Sequence, residues 1–196
     1  MVGSLAIVLL ISIAKGVQAD VGSQVESLGV NVLIVVPGQV GDGAMFAPNL
    51  AGLSYLQDED VERVRTVPGV RTAAPLMFVG GGIKQGKKTS PSTLIIAAGH
   101  EWFQVRPVTL AEGRTYGSSD EGKAVCVIGS IARENMFGSE PAVGKKVNIN
   151  AQEYVVIGVT QDEKSENSLF SMGGFENIAY VPYRYVRSVV PNPQLD

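Results

Sequence analysis

One cysteine and one histidine are all that this chain of 196 residues holds of the two side chains most used for transition metals. A single cysteine excludes an internal disulfide framework and a multi-cysteine zinc centre. With His100 the sole histidine, a usual Cys/His zinc set cannot be assembled, so no metal and no cofactor is expected. Charge is also scarce: 18% of residues are charged and the net charge is −3, which gives no basic field for nucleic acid. Nor is the uncharged apolar run from Val2 to Ala14 long enough to cross a membrane. As a helix its about 13 residues would reach about 20 Å, against roughly 30 Å of hydrocarbon.

That first run admits three readings. A signal peptide fits its length, and Val17-Gln18-Ala19 offers small residues for a cut after Ala19, before Asp20. Against this, no Lys or Arg precedes the run, and Lys15 lies close to the cut. A buried core helix is the second reading, although a helix apolar all round is uncommon at a chain's start. The third is the outer part of a membrane helix that begins before Met1. Beyond Lys15, Val17, Val21, Val25 and Leu28 fall on one side of a helix, and Gly29 is placed as its C-cap. Asn31 to Val36 is β-branched and closed by Pro37-Gly38, which predicts a short buried strand.

An apolar content of 45% suffices for a core, while 23 Gly and 10 Pro predict many turns and short strands. Residues 37–54 read as loop. Asp58 to Arg65 predicts a short helix with Asp58 as N-cap and acids in its first turn, stopped by Pro68-Gly69. Val70 to Val79 predicts a strand that Pro75 restricts to an edge or a bulge. Gly80 to Lys88 is a turn, Ser92 to Ala98 a strand, and residues 99–117 irregular or briefly helical. Ala124 to Ile128 predicts a buried strand, Ser130 to Phe137 a helix closed by Gly138, and Lys145 to Ile149 another strand. Glu153 to Val159 pairs with that strand across Asn150-Ala151-Gln152 as a hairpin. Residues 161–175 form a polar loop, Asn177 to Val181 a last strand, and Pro182 the first turn of a terminal helix. The sum is α+β, a mixed β-sheet with short helices behind a long N-terminal helix.

No catalytic constellation emerges from these residues. Gly81 to Thr89 comes within one position of a phosphate-binding P-loop, but Lys88 stands where the hydroxyl is needed. Ser90-Pro91 and a β-like run then follow instead of a helix whose N-terminus could cradle phosphate, so a lysine-bearing hairpin is expected. Gly38 to Gly43 lacks dinucleotide-binding spacing and is read as loop. His100, beside Glu101 and Trp102, has no announced nucleophile or orienting group and is expected to be a surface or structural residue. Cys126 alternates within a buried strand as inert packing. Asp58, Glu59, Asp60 and Glu62 are explained by the electrostatics of a helix start. The expectation is a chain that is not an enzyme, with no catalytic, cofactor-binding or metal residues.

Six segments nevertheless form an ordered pattern: LGVNVLIVVPG (28–38), VPGVRTAAP (67–75), LAEGRTY (110–116), AVCVIGSIARENMFG (124–138), PAVGKKVNINAQEYVVIGV (141–159) and NIAYVPY (177–183). In this order they resemble permeases of the MacB-like and FtsX-like ABC transporter family. The resemblance implies that residues 1–14 are the outer end of transmembrane helix 1, that 15–28 are a stalk helix, and that 29–196 are an extracytoplasmic core domain. Both ends of the chain are then expected to be cut, the domain being C-terminally incomplete. It further implies a lipid membrane, an ABC ATPase subunit or domain, a permease dimer and a periplasmic adaptor as partners. The location would be the bacterial inner membrane, with the domain facing the periplasm or the extracellular side. The mechanism implied is mechanical, coupling ATP-driven helix motion to export or extraction of a substrate. The competing reading is a secreted periplasmic binding domain released after Ala19.

Overall fold

The computed structural model describes residues 32–35, 56–91, 93–161 and 177–189. The chain divides into two units, Met1–Val35 and Val36–Asp196. The expected membrane and stalk segments, 1–14 and 15–28, lie outside the described residues, as do most of the loops at 37–54 and 161–175. Among the described residues no helix is long and apolar enough to cross a membrane.

Residues 32–35 correct one expectation. They form no strand and are all exposed, Leu33 by 93%. β-branched residues favour an extended chain, but a buried strand also needs a neighbour for its backbone groups, and no strand pairing includes these four.

Among the described residues, the second unit is built on a nine-stranded mixed sheet. In chain order its strands are β1 (Leu76–Val79), β2 (Ile83–Gln85), β3 (Lys88–Ser90), β4 (Thr93–Ala98), β5 (Leu110–Gly113), β6 (Val125–Gly129), β7 (Lys146–Ile149), β8 (Gln152–Thr160) and β9 (Asn177–Pro182). Their spatial order is β1-β4-β9-β6-β8-β7-β2-β3, with β5 added to β8. β4 runs parallel to β9, and β6 parallel to β8, while β6 and β9 are antiparallel. The long β8 is shared along one edge: β7 pairs with residues 152–155 and β5 with 158–160.

The central strands read as unbroken apolar runs because both their faces are covered. Every residue of β4 and of β6 is buried. Ile95, Ala97, Cys126, Ile128, Val156 and Val181 point to one side, where they pack with Ala132, Met136 and Phe137 of helix α3 (Ser130–Phe137) and Val186 of α4 (Tyr183–Val189). Leu94, Ile96, Ala98, Val125, Val127 and Tyr180 point to the other, against Trp102 of the short helix α2 (Trp102–Val105) and Tyr116. The alternation along a strand, with a period of two, distributes these residues between two cores.

Turn chemistry sets the registers. Asn150 and Ala151 both adopt positive φ, 48° and 64°, the geometry of a tight hairpin between β7 and β8. Gly138 ends α3 at φ 64°, where a side chain would be strained. Pro75 precedes β1, which among the described strands pairs only with β4, so the proline stands at an edge as its missing donor requires.

Three expectations need adjustment. The helix α1 (Asp58–Arg65) is capped by Gln57 rather than Asp58: the Gln57 amide donates to the Asp60 carboxylate at 2.8 Å. Asp60, the third residue of the helix and still in its first turn, closes the helix start, one position earlier than the sequence suggests. Pro182 is the last residue of β9 and not part of α4. β5 was not expected at all, since LAEG offers one large apolar residue and leaves alternate positions exposed.

Candidate functional site

The topology gathers one end of the sheet into a charged junction. β4 and β9 are parallel and both finish there; β6 is antiparallel to β9 and therefore starts there. The segment after β4 supplies His100 and Glu101, the segment before β6 supplies Asp120 and Glu121, and α4 leaves from the end of β9. Tyr116, 2% exposed, lies beneath, with its hydroxyl 3.0 Å from the Ala98 carbonyl and 3.1 Å from that of Val181, the ends of the two parallel strands. Its single proton is shared between two acceptors, which ties the strand ends together. Burial, the main cause, pushes the Tyr116 hydroxyl well above the ordinary tyrosine range.

Around His100 the groups are close. Its backbone N–H donates to Glu121 Oε1 at 2.6 Å, and its Nδ1 lies 3.1 Å from the same oxygen and 3.4 Å from Glu101 Oε2. The Glu121 side chain is only 10% exposed. Its second oxygen accepts from the Arg184 amide at the start of α4, at 3.5 Å. Gly99 leaves the space that Glu101 uses, because a Cβ there would stand 2.6 Å from Glu101 Oε2. On the far side, Arg65 of α1 donates to Glu101 Oε1 at 2.5 Å, to Glu62 at 2.7 Å and to the Ala73 carbonyl. Asp58, at the other end of α1, accepts from the Tyr183 hydroxyl at 2.6 Å and lies 3.9 Å from Arg187. Burial first, and that bond second, push the Tyr183 hydroxyl up to about 12. Both ends of α1 are therefore pinned, one to the segment after β4 and one to α4.

Asp120 anchors the segment before β6. Its side chain is 4% exposed and accepts from Arg114 at 2.6 Å, from Lys123 at 3.3 Å and from the Gly117 amide at 3.2 Å. The Arg114 hydrogen bond, first among the causes and only partly opposed by burial, holds its carboxyl well below the usual range. A carboxyl depressed by folding contributes stability that is present above its unfolded value, about 3.9, and lost as pH falls through its folded value. Asp120→Asn is expected to destabilise the domain at pH 7 by about 2 kcal/mol, the scale of a hydrogen bond to a charged group. The gap to wild type should shrink steadily between about pH 5 and pH 2, as read from urea midpoints at each pH. A constant gap would show that the carboxylate charge has no part in it.

The structure places the other sequence candidates as follows. Cys126 is fully buried on β6 and burial pushes its thiol up, consistent with packing rather than reactivity. Asp58, Asp60 and Glu62 serve helix α1 and its ion pairs. Gly81 to Thr89 forms the β2–β3 hairpin, with Lys84 opposite Thr89 and the exposed Lys87 in the turn, so the near-match to a P-loop is a hairpin. His100 and Glu101 come together with Glu121, which the sequence did not single out. Arg114 and Tyr116 belong to the segment LAEGRTY, whose residues carry no local sign of the junction they build.

The fold defines the class: an α+β domain on one mixed sheet, with short helices. The chain belongs to the family of MacB-like periplasmic core domains, whose model matches residues 1–195. Its relatives include the macrolide export ATP-binding/permease proteins MacB 2 of Aeromonas hydrophila and MacB of Hahella chejuensis. The first is 25% identical over 95% of this chain, the second 29% over 93%. An uncharacterized ABC transporter permease of Mycobacterium tuberculosis is 28% identical over 88% of the chain. The chain spans 28%, 27% and 44% of the lengths of these three relatives. In fold it is similar to the periplasmic region of MacB from Actinobacillus actinomycetemcomitans, with a TM-score of 0.65 and 22% identity, over 81% of this chain and 68% of that one. The extracellular domain of the ABC-type transporter YknZ from Gram-positive bacteria follows, with a TM-score of 0.59 and 20% identity, over 68% of this chain and 66% of that one.

Proposed function

We propose that this chain is the extracytoplasmic portion of an ABC permease that couples ATP-driven motion of membrane helices to export or extraction of a substrate. ATP hydrolysis belongs to a separate or fused nucleotide-binding domain, and the permease works as a dimer in a bacterial inner membrane, with a periplasmic adaptor as a further partner. One observation carries this reading: the family match starts at residue 1, so the apolar run 1–14 and the amphipathic stretch 15–28 fall within the match. Residues 15–28 then act as a stalk, since a helix satisfies its own backbone hydrogen bonds and is stiff along its axis.

The test uses the full-length permease with its ATPase in proteoliposomes, spin-labelled at Lys87→Cys on the exposed hairpin turn. The distance between the two protomers' labels should change when ATP and vanadate replace ADP. Val21→Pro, which breaks a helix interior at a cost of about 3 kcal/mol, should abolish that change while ATP hydrolysis continues. An unaltered response in Val21→Pro sinks the coupling role. A mature protein found by mass spectrometry to begin at Asp20 would favour the secreted binding domain instead.

A further inference from the structure

We propose that His100, Glu101 and Glu121 form a Zn2+ site that clasps the segment after β4 to the segment before β6. Counting cysteine and histidine excludes a Cys/His centre, but a mixed imidazole–carboxylate donor set escapes that count. The donor atoms of the three residues lie within 4.8 Å of one another. His100 Nδ1 stands 3.1 Å from Glu121 Oε1 and 3.4 Å from Glu101 Oε2. Tetrahedral zinc with bonds of 2.0 to 2.1 Å places its donors about 3.3 Å apart. Both carboxylates are also held by a group outside the set, as metal ligands commonly are. Arg65 fixes Glu101 through Oε1 and leaves Oε2 turned to His100; the Arg184 amide meets the second oxygen of Glu121. Gly99 keeps clear the space into which Glu101 folds back.

Charge supplies an independent argument. The nine-tenths-buried Glu121 carboxylate has backbone amides and the His100 ring as its hydrogen-bond partners, and among the described residues no Lys or Arg side chain is paired with it. A carboxylate so buried calls for a nearby positive charge. A divalent cation on His100 Nδ1 would supply it. The ring atom facing both carboxylates is the one a metal would take, and an N,O,O set suits zinc.

The experiment takes the full chain in detergent, stripped with chelator. Zinc affinity is read by competition with a chromophoric chelator, and geometry by the visible d–d spectrum after Co2+ substitution. One Zn2+ per chain and a four-coordinate Co2+ spectrum are expected. His100→Ala and Glu121→Gln should each weaken zinc by more than tenfold, and Arg65→Met, which frees Glu101 to turn, by about tenfold. Glu101→Gln exchanges one atom, preserves the chain's shape and should also weaken binding by more than tenfold. Failure of the wild-type chain to bind zinc above the competitor's background, a six-coordinate Co2+ spectrum, or equal affinities in wild type and Glu101→Gln would each overturn the site. Loss of binding with circular dichroism unchanged would establish it.

Discussion

Gly158→Ala is expected to lower the unfolding free energy by about 3 kcal/mol, the upper end for forcing extra volume into a packed region. Gly158 lies in the middle of β8, opposite Gly113 of β5 on one side and Val127 of β6 on the other. A Cβ at Gly158 would sit 2.3 Å from the Arg114 carbonyl oxygen, and one at Gly113 would sit 2.2 Å from that of Ile157. The obstructing atoms are backbone, which cannot swing aside as a flexible side chain could. The two glycines let β5 settle onto β8, and β5 leads directly to Arg114 and Tyr116. Gly122→Ala provides the comparison: nothing lies within 4 Å of its Cβ, so a change within about 0.5 kcal/mol is expected. Urea titrations of the two variants decide the matter, and equal midpoints would mean that the strands do not approach so closely.

Ile128→Ala should cost a similar amount, about 3–4 kcal/mol, but for the opposite reason. Ile128 is fully buried in the strand that β9 and β8 flank, packed with α3 and the neighbouring strands. Removing its outer carbons forfeits their burial and leaves a cavity that a close-packed interior collapses into only partly. Ile96→Ala makes the matching cut in the core on the opposite face. Since both cores share one sheet, each variant should still unfold in a single transition with an unchanged urea slope. Separate transitions in the Ile128→Ala chain would show that the two faces of the sheet do not unfold together.

Much of this fold can be read from short patterns. Ala124 to Ile128 and Ser92 to Ala98 announce buried strands because covering on both sides removes any need for polar alternation. Asn150-Ala151 marks a hairpin because its tightest turns demand positive φ. β5 escaped notice because its pairing depends on two glycines meeting across forty-five positions of chain, roughly, and not on its own apolar content. Residues 32–35 show the converse, a strong local preference that forms no strand. The junction was legible only in part. His100 and Glu101 are neighbours in sequence, whereas Glu121 reaches them through the order β4-β9-β6, which no local pattern encodes. Arg65 and Glu101 are likewise brought together by the approach of α1 to the end of the sheet.

The two ends of the strand order, β1 and β3, hold four and three residues. One is preceded by Pro75, and the other carries the exposed Lys88 and follows the exposed Lys87. An edge so short, flanked by a residue that cannot donate or by positive charge, offers a poor template for a strand from another molecule. A sheet whose middle is β-branched and apolar would be prone to fibril growth if its borders were long and flat. Here the borders themselves act against aggregation, which would let copies of the domain stand side by side at high local density without fusing their sheets.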